Sequence, residues 1–546
     1  MAQKGRYTEL PNKIGLFSTS KGSFIKNDND VVLSFPFKDT VLEAGMSKED
    51  VGRDERFLHQ TLDSKDIDTL EEPKVLTDFR YVDKDGEKAL SADNDIAFFD
   101  EDGNLTQNLL IKGNNLLALY TLRERLAGQV KLIYIDPPYN TGSDSFRYND
   151  KFSHSAWLTF MRNRLEVAKE LLSDDGVIFV QCDDNEQAYL KVLMDEIFGL
   201  DNFRNVIIWR KVLSAKAQSI NLSSVSEYLL AYSKTDEFSF KPYYLETNGE
   251  KDAINYRHTE EGTGRVYRLS DFTQKGQGEP KTFGGKLLAP PQGKHWIWSQ
   301  NKINEAMEKG LLVFSKNGVP SVKRYLDEKA GIPLSDLWDD DATKIISAMD
   351  AQRISNFDGQ KPEGLIQRII EISTNEGDIV LDYHLGTGTT SAVAQKTNRR
   401  WVGIEQMDYI EKLAKKRLVS VVNGEQTGVS KTVDWHGGGS FVYFELKKYN
   451  QEYLDAIMEA TSIKELEDLY VDMRNNAFLK FWFDRAEFEK DENFRNLDLD
   501  GRKQALANIL DENQLYLNYA DMNDTRHEVS ADEKTLTDRF YGENKN

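Results

Sequence analysis

The chain has 546 residues, which is long for one domain and predicts two to four. Its composition, 39% hydrophobic and 29% charged, is that of a soluble globular protein, and no apolar run approaches the ~20 residues of a membrane span. The single cysteine, Cys182, excludes intrachain disulfides and cysteine-rich zinc sites. Together with the absence of a secretory leader, it predicts a cytoplasmic protein.

Charge is distributed unevenly along the sequence. The whole chain carries −21, whereas residues 203–346 contain 21 Lys and Arg against 18 Asp and Glu. A strongly negative total argues by itself against a nucleic-acid partner. The neutral-to-basic segment leaves such a partner open, although an unevenly charged solvated surface would give the same count.

The first half of an α/β domain is predicted at residues 106–205, after a polar N-terminal arm or extension at 1–105. A strand at Val130–Ile135 is followed by an amphipathic helix at Trp157–Leu172 and a strand at Val177–Val180. Such alternation of strands and helices predicts a parallel sheet that is covered by helices on both faces.

The alternation stops in residues 206–345, which are rich in Gly, Tyr, Thr, Lys and Gln. It resumes in residues 346–440, where a helix at Gly364–Ser373 precedes a strand at Ile379–Asp382. We therefore predict one doubly wound, mostly parallel α/β domain that a mixed module interrupts. Residues 441–546 begin with a strand-like segment and then turn helical and charged, which predicts an α-rich C-terminal region for assembly or partner contact.

A first polar cluster, Asp136-Pro-Pro-Tyr139, follows the strand Val130–Ile135 directly. A buried strand that ends in this way delivers polar groups to the edge of a sheet, and the two prolines stiffen the turn and remove two backbone donors. A carboxylate, the Pro137 carbonyl and an aromatic ring would then face one pocket. Such a set suits the exocyclic amino group of a flipped-out base. The predicted catalytic residues are Asp136, Pro137, Pro138 and Tyr139.

A second cluster follows the strand Ile379–Asp382, where a loop with Gly386 and Gly388 leads into a helix. Glycines let backbone approach a ligand closely, and the helix N-terminus offers N–H groups, although a tight strand–helix turn would also explain them. The loop lacks the Gly-Lys-Ser/Thr of a P-loop and the third glycine of a dinucleotide fold. Glu405 ends the next strand, where an acid can accept hydrogen bonds from ribose hydroxyls. The two features predict a nucleoside ligand without a pyrophosphate.

These segments resemble the sequence motifs of the DNA amino-methyltransferases. Asp136–Tyr139 resembles motif IV, the loop from Asp382 to Gly388 resembles motif I, and Lys361-Pro-Glu363 resembles motif X. Their order, with the insert between, is similar to the β-class permutation, in which the target-recognition region separates the two halves. The resemblance implies S-adenosyl-L-methionine as the cofactor. The residues it implies for cofactor binding are Asp382, Gly386, Gly388, Thr389, Glu405, Lys361 and Gln406.

A closer resemblance, to the modification subunits of Type III restriction-modification systems, spans about residues 66–545. It is carried by Ile135–Gly142, Gly176–Asp184 and Gly403–Ile410. It implies a site-specific enzyme that flips adenine out of double-stranded DNA and methylates N6, forms a homodimer and works with a helicase-nuclease restriction subunit. Methylation of cytosine N4, or a silent recognition subunit that directs the nuclease, stays open, although Asp as the first motif IV residue favours adenine. No metal is implied.

The resemblance has one departure, since His384 stands where the family usually has Phe. The insert is the expected DNA-recognition region, because its basic and aromatic residues alternate. A small β-rich module with aromatic residues in its core would give the same pattern. Asp339–Asp341 is interpreted as a solvated loop and not as a metal site. Gly113 and Asn115 either border the cofactor pocket or form a plain strand–helix turn.

Overall fold

The computed structural model divides into two compact units, residues 1–241 with 336–546, and residues 242–335. The structure describes residues 72–141, 154–212, 222–245, 254–346 except 330, 353–354, 359–448, 451–476, 494, 497–512 and 516–542, with short strand segments within 8–57. Over these ranges, no helix is both long and apolar enough to cross a membrane.

The larger unit is built on one sheet, which has eleven strands in the described part of the chain. In chain order these are β1 Leu76–Asp83, β2 Gly86–Ala89, β3 Asn108–Lys112, β4 Val130–Ile135, β5 Leu172–Cys182, β6 Phe203–Arg210, β7 Ser226–Ser233, β8 Leu337–Trp338, β9 Ile379–Asp382, β10 Arg400–Glu405 and β11 Phe441–Leu446. Their order across the sheet is β8-β6-β7-β5-β4-β9-β10-β3-β11-β1-β2.

The centre of the sheet is parallel, from β5 through β4, β9, β10 and β3 to β11. Antiparallel pairs extend it on both sides, where β7 joins β5 and β6, and β1 joins β11 and β2. Nearly every side chain of β4 and β9 is buried, as a parallel sheet between two layers of helices requires. The predicted doubly wound, mostly parallel sheet is confirmed.

The helices of the larger unit form two packed groups around this sheet and a C-terminal group. They are α1 Asn115–Leu126, α2 His154–Leu171, α3 Gln187–Phe198, α4 Glu363–Ser373, α5 Thr389–Lys396, α6 Lys416–Val422, α7 Gln451–Glu459, α8 Ile463–Asn476, α9 Leu499–Glu512 and α10 Ala531–Tyr541. Helices α1, α2 and α3 pack in series, and so do α4, α5 and α6. Right-handed crossovers place these two groups on opposite faces of the sheet.

The strand order reverses between β4 and β9. From β4 the chain continues to β5 on one side, and from β9 it continues to β10 on the other. In open α/β sheets, ligands bind at such a point, in the crevice outside the carboxyl ends of the strands. Asp136 follows β4 and Asp382 ends β9, so the two polar clusters of the sequence lie at this crevice.

Several segments outside the predicted halves of the α/β domain also join the sheet. Strands β6 and β7 pair with it although they fall within the predicted insert 206–345, because the apolar run Leu229–Tyr232 is fully buried against β5. Strands β1 and β2 come from the predicted arm, and β11 comes from the predicted C-terminal region. Most of residues 1–71 lie outside the described residues.

The smaller unit, residues 242–335, has its own core. Its largest sheet orders His258–Thr259, Val266–Ser270, Pro320–Tyr325 and Leu312–Phe314, and a helix spans Gln300–Glu308. Three antiparallel strand pairs complete it: Tyr244–Leu245 with Ile332–Pro333, Thr273–Lys275 with Lys294–Trp296, and the hairpin Lys281–Phe283 with Lys286–Leu288. Trp296 and Trp298 are buried in the core beside Phe272, so these two aromatic residues stabilise the unit and are not available for stacking on bases.

Candidate active site

The turn after β4 is held in place by its surroundings. The indole of Trp157, which is fully buried at the start of α2, donates a hydrogen bond to the Pro138 carbonyl at 2.8 Å. Asn140 then takes a left-handed conformation with φ 60°, which Asn tolerates better than most residues. The prolines fix two φ angles of the turn, and the Trp157 hydrogen bond anchors it. Asp136 and Tyr139 are therefore held in defined positions.

Both carboxylate oxygens of Asp136 have a partner. The Tyr139 hydroxyl donates to Oδ1 at 2.5 Å, and the Lys361 ammonium donates to Oδ2 at 2.5 Å. Burial raises the pKa of Asp136, and the negative charge of Glu227 acts in the same direction while Lys361 opposes them. Burial would lower the pKa of Lys361, but the charges of Asp136 and Glu227 outweigh it and raise that pKa. Lys361 is therefore a cation that lies directly on the Asp136 carboxylate.

A second carboxylate, Glu227 on β7, lies in the same pocket and was missed by the sequence analysis. Its side chain is 7% exposed. Oε2 accepts a hydrogen bond from the Gln181 amide at 2.6 Å and lies 3.0 Å from the Tyr139 hydroxyl oxygen, and Oε1 accepts a hydrogen bond from Lys211 at 2.8 Å. The Lys361 nitrogen is 4.0 Å from Oε2. The pocket therefore holds two acids that share the same tyrosine and lysine.

The loop after β9 is organised by Asp382. Its Oδ1 accepts the backbone N–H of His384 at 3.0 Å, and its Oδ2 accepts the Thr390 hydroxyl at 2.6 Å. Gly388 has φ 77° and immediately precedes α5, a conformation that favours glycine. The loop therefore turns tightly at the end of β9, which both a ligand-binding loop and a plain strand–helix turn predict.

Glu405 ties the end of β10 to the same loop. Its Oε2 accepts the N–H of Gly386 at 2.8 Å, and its Oε1 accepts the N–H of Met407 at 3.0 Å. The amide oxygen of the next residue, Gln406, is buried and has no hydrogen-bond partner among the described residues. Because a buried polar atom without a partner is costly, this atom indicates a site for an external donor.

Lys361 and Thr389 link the two clusters. The Thr389 hydroxyl donates to the Lys361 carbonyl at 3.4 Å and accepts from Arg417 at 2.7 Å. The resemblance grouped Lys361 with the cofactor residues, whereas its ammonium lies on the Asp136 carboxylate. The segment that resembles motif X thus contacts both the catalytic turn and the glycine loop.

His384, which stands where the family usually has Phe, lies close to the positive charge of Arg164. Burial and the nearby Arg164 guanidinium lower the pKa of His384 well below 6.5, so its ring is neutral at neutral pH. Arg164 donates to Asn115 Oδ1 at 2.8 Å, and the Asn115 amide donates to the Tyr383 carbonyl at 2.9 Å. A neutral ring that packs near Phe160 occupies this position much as an apolar aromatic residue would. Through its hydrogen bond to the Tyr383 carbonyl, Asn115 holds the backbone of the loop after β9.

A buried ion cluster lies below the glycine loop. Glu363 accepts hydrogen bonds from Lys396 at 2.8 Å and from Arg417 at 2.7 Å, and the exposed fractions of these three side chains are 1%, 0% and 9%. Glu363 also accepts the backbone N–H of Val429 at 3.0 Å. Because Arg417 also contacts Thr389, this cluster positions the first turn of α5.

The residues at the crevice fit a cationic nucleoside. The carboxylates of Asp382 and Glu405 and the unsatisfied amide of Gln406 are acceptors for ammonium and hydroxyl donors. The arrangement places a group of hydrogen-bond acceptors at the ends of β9 and β10, beside an acid and an aromatic ring after β4.

Comparisons with known proteins decide the family. A family model described as DNA methylase matches residues 130–416. A protein from Haemophilus influenzae named "Probable type III restriction-modification enzyme HindVI Mod subunit" is 35% identical, over 98% of this chain and 88% of its own length. The chain belongs to the Type III modification subunits. The resemblance stated from the sequence is thereby confirmed.

Other relatives of this modification subunit are also methyltransferases. The Type II methyltransferase M.EcaI from Enterobacter cloacae is 29% identical over 75% of this chain and 92% of its own length. A crystal structure of an M1.HpyAVI complex with S-adenosylmethionine covers 57% of this chain and 98% of that chain, with 17% identity and a TM-score of 0.31. This modification subunit is an S-adenosylmethionine-dependent DNA methyltransferase of a restriction-modification system.

Proposed function

We propose that this modification subunit methylates N6 of adenine in double-stranded DNA, with Asp136, Pro137, Pro138 and Tyr139 as its catalytic residues. The observation that carries the proposal is the Asp136–Tyr139 turn at the point of strand reversal, beside the loop after β9. A base within the duplex cannot reach such a crevice, so the target nucleotide must be flipped out of the helix. Asp as the first residue of the turn favours adenine.

The chemistry assigned to these residues follows from the weak nucleophilicity of an aromatic amine, whose lone pair is delocalised into the ring. Asp136 and the Pro137 carbonyl accept the two amine N–H groups, which localises the lone pair on nitrogen and offsets the positive charge that develops there. Tyr139 stacks on the extruded base, a contact worth ~1–3 kcal/mol per base. When bound, S-adenosylmethionine supplies a methyl group on a sulfonium leaving group, so no covalent enzyme intermediate is needed.

Cytosine N4 is the alternative target, since its exocyclic amine makes the same demands on the site. The two are separated by treating unmethylated DNA with the protein and radiolabelled cofactor, digesting the product to nucleosides and identifying the labelled one. We expect label in N6-methyldeoxyadenosine alone. Label in N4-methyldeoxycytidine would replace the adenine assignment.

For the cofactor we propose Asp382, Gly386, Gly388, Thr389, Glu405 and Gln406 as binding residues, and Lys361 through its backbone carbonyl. Asp382 accepts the cofactor ammonium and orients the loop, and Glu405 accepts the ribose hydroxyls with the lone pairs that Gly386 and Met407 leave available. The unsatisfied Gln406 oxygen supports this assignment.

A pH dependence of cofactor affinity is expected from Asp382. Burial raises the pKa of Asp382 to about 7, so the free protein is mostly protonated there at pH 6 and mostly ionised at pH 8. Because the cofactor ammonium, whose own pKa is about 8, favours the ionised carboxylate, the Kd should be about fivefold higher at pH 6 than at pH 7, where the ammonium is still mostly protonated. Isothermal titration calorimetry measures this change. Asp382→Asn should remove the pH dependence and the exposed Asp408→Asn should keep it, whereas a wild-type Kd that does not change with pH would refute the assignment.

We also propose that the protein forms a homodimer and works with a helicase-nuclease restriction subunit, with the neutral-to-basic segment around residues 242–335 contacting the DNA. Support comes from the family membership and from the uneven charge of the chain. Sedimentation equilibrium at a mass near the 62.6 kDa of one chain would contradict the dimer.

A further inference from the structure

Asp136 already holds two donors when a target amine arrives. Its two oxygens are already occupied by the Tyr139 hydroxyl and the Lys361 ammonium. Each oxygen keeps a further lone pair for a substrate N–H group, but the Lys361 ammonium neutralises the negative charge that has to offset positive charge on the amine nitrogen, so the full effect of the carboxylate requires that this donor be displaced. The displaced donor then needs another acceptor, because a buried cation or hydroxyl without a partner is strongly destabilising.

Glu227 lies where both displaced donors can reach it. The Tyr139 hydroxyl carries a single proton and is 2.5 Å from Asp136 Oδ1 and 3.0 Å from Glu227 Oε2. The Lys361 nitrogen is 4.0 Å from the same Oε2. A reorientation of the hydroxyl and a small shift of the lysine are therefore enough to move both donors from Asp136 to Glu227.

The Glu227 carboxylate is itself fixed. Gln181 on β5 donates to its Oε2 at 2.6 Å, and Lys211, just after β6, donates to its Oε1 at 2.8 Å. Gln181 is held in turn by the Tyr134 hydroxyl at 2.6 Å. An acid held from two neighbouring strands can stay in place while Tyr139 and Lys361 change partners.

We propose that Glu227 is a positioning residue that takes over the Tyr139 hydroxyl and the Lys361 ammonium when the target amine binds Asp136. The proposal rests on the catalytic role proposed above for Asp136. The exchange leaves the total charge of the pocket unchanged, and the freed Asp136 carboxylate is then held by the amine N–H groups and offsets the positive charge that develops on the nitrogen. It frees the carboxylate only when a base is present to replace the lysine.

Glu227→Gln tests the exchange. The amide keeps the shape and can still accept from Tyr139, but it cannot neutralise Lys361, which then stays on Asp136. We expect kcat to fall about tenfold or more, with the Kd for S-adenosylmethionine and the KM for DNA within about twofold of wild type. Asp195→Asn is the matched control, since Asp195 also accepts from a tyrosine and a lysine, Tyr232 at 2.6 Å and Lys191 at 2.6 Å. Its kcat should stay at the wild-type value.

A second substitution separates positioning from general structural damage. In the Glu227→Gln background, Lys361→Met removes the competing ammonium, so kcat should recover about threefold or more. A Glu227→Gln enzyme as fast as the Asp195→Asn control would overturn the proposal, and so would a double variant no faster than Glu227→Gln alone. If Asp136→Asn, measured alongside, keeps methylating DNA, the catalytic assignment itself fails instead.

If Glu227→Gln does not fold, a substitution at the half-buried Lys211 tests the exchange instead. Lys211→Met leaves Glu227 in place and removes the lysine that neutralises it, which draws Lys361 from Asp136 towards Glu227. At saturating DNA, kcat should rise about twofold. An unchanged or lower kcat in this variant would contradict the exchange.

Discussion

Asp136→Asn is expected to lower the rate of methyl transfer by about 10²–10³-fold while the protein still folds and binds its cofactor. The amide has the size of the carboxylate and can still accept from Tyr139, but it lacks the charge that offsets positive charge on the attacking nitrogen. Lys361 keeps a counter-ion in the variant, since Glu227 is 4.0 Å away. The loss should therefore fall on kcat.

Single-turnover transfer of a labelled methyl group to DNA measures the rate, and calorimetry measures cofactor affinity. Asp175→Asn is a suitable control, because Asp175 is a half-exposed partner of Lys131 on the same strand β4. That control should methylate at the wild-type rate. An Asp136→Asn protein that retains more than about a tenth of the wild-type rate would show that another group accepts the amine protons.

The elements at the crevice were predictable because their signals are local. The strands Val130–Ile135 and Ile379–Asp382 have the predicted bounds, since each is a short apolar run that ends at a carboxylate. Pro137, Pro138 and Gly388 are residues that favour turns, so the sequence shows where these strands end. Strand β5 begins at Leu172, five residues before its predicted start, because Leu172, predicted as the last residue of the helix, pairs with Val130 instead.

The contacts inside the pocket were not predictable because they join distant parts of the chain. Lys361 and Asp136 are 225 residues apart, and nothing in either segment indicates that they form an ion pair. Glu227 follows a stretch interpreted as the start of the insert, and its only signal is an acid at the beginning of an otherwise apolar strand. Once β7 pairs with β5, that acid is brought beside Gln181 and Tyr139.

The position of the insert in the sequence explains how one crevice is assembled from both halves of the chain. Strands β4 and β9 are neighbours in the sheet although residues 242–335 separate them in the sequence. The segment Lys361–Glu363 lies at the crevice after this interruption. It contributes one residue to the catalytic turn and one to the ion cluster under the cofactor loop.

Glu363→Gln is expected to destabilise the larger unit by about 3 kcal/mol, at the lower end of the range for breaking a buried ion pair. Glu363 is fully buried and accepts from Lys396 and Arg417, so a neutral amide leaves two buried cations with less compensation. Glu425 also pairs with Lys396, which limits the loss. Because Arg417 holds Thr389, cofactor affinity should weaken as well.

Urea unfolding followed by circular dichroism measures this loss as a lower midpoint at an unchanged dependence on denaturant. Glu371→Gln is the matched control on the same helix, because Glu371 is half-buried and bonds only to the neutral Gln367 among the described residues. That control should change stability by no more than about 0.5 kcal/mol. If Glu363→Gln is equally mild, the charges of Lys396 and Arg417 are compensated by Glu425 or by solvent, and the cluster does not hold the first turn of α5 against the glycine loop.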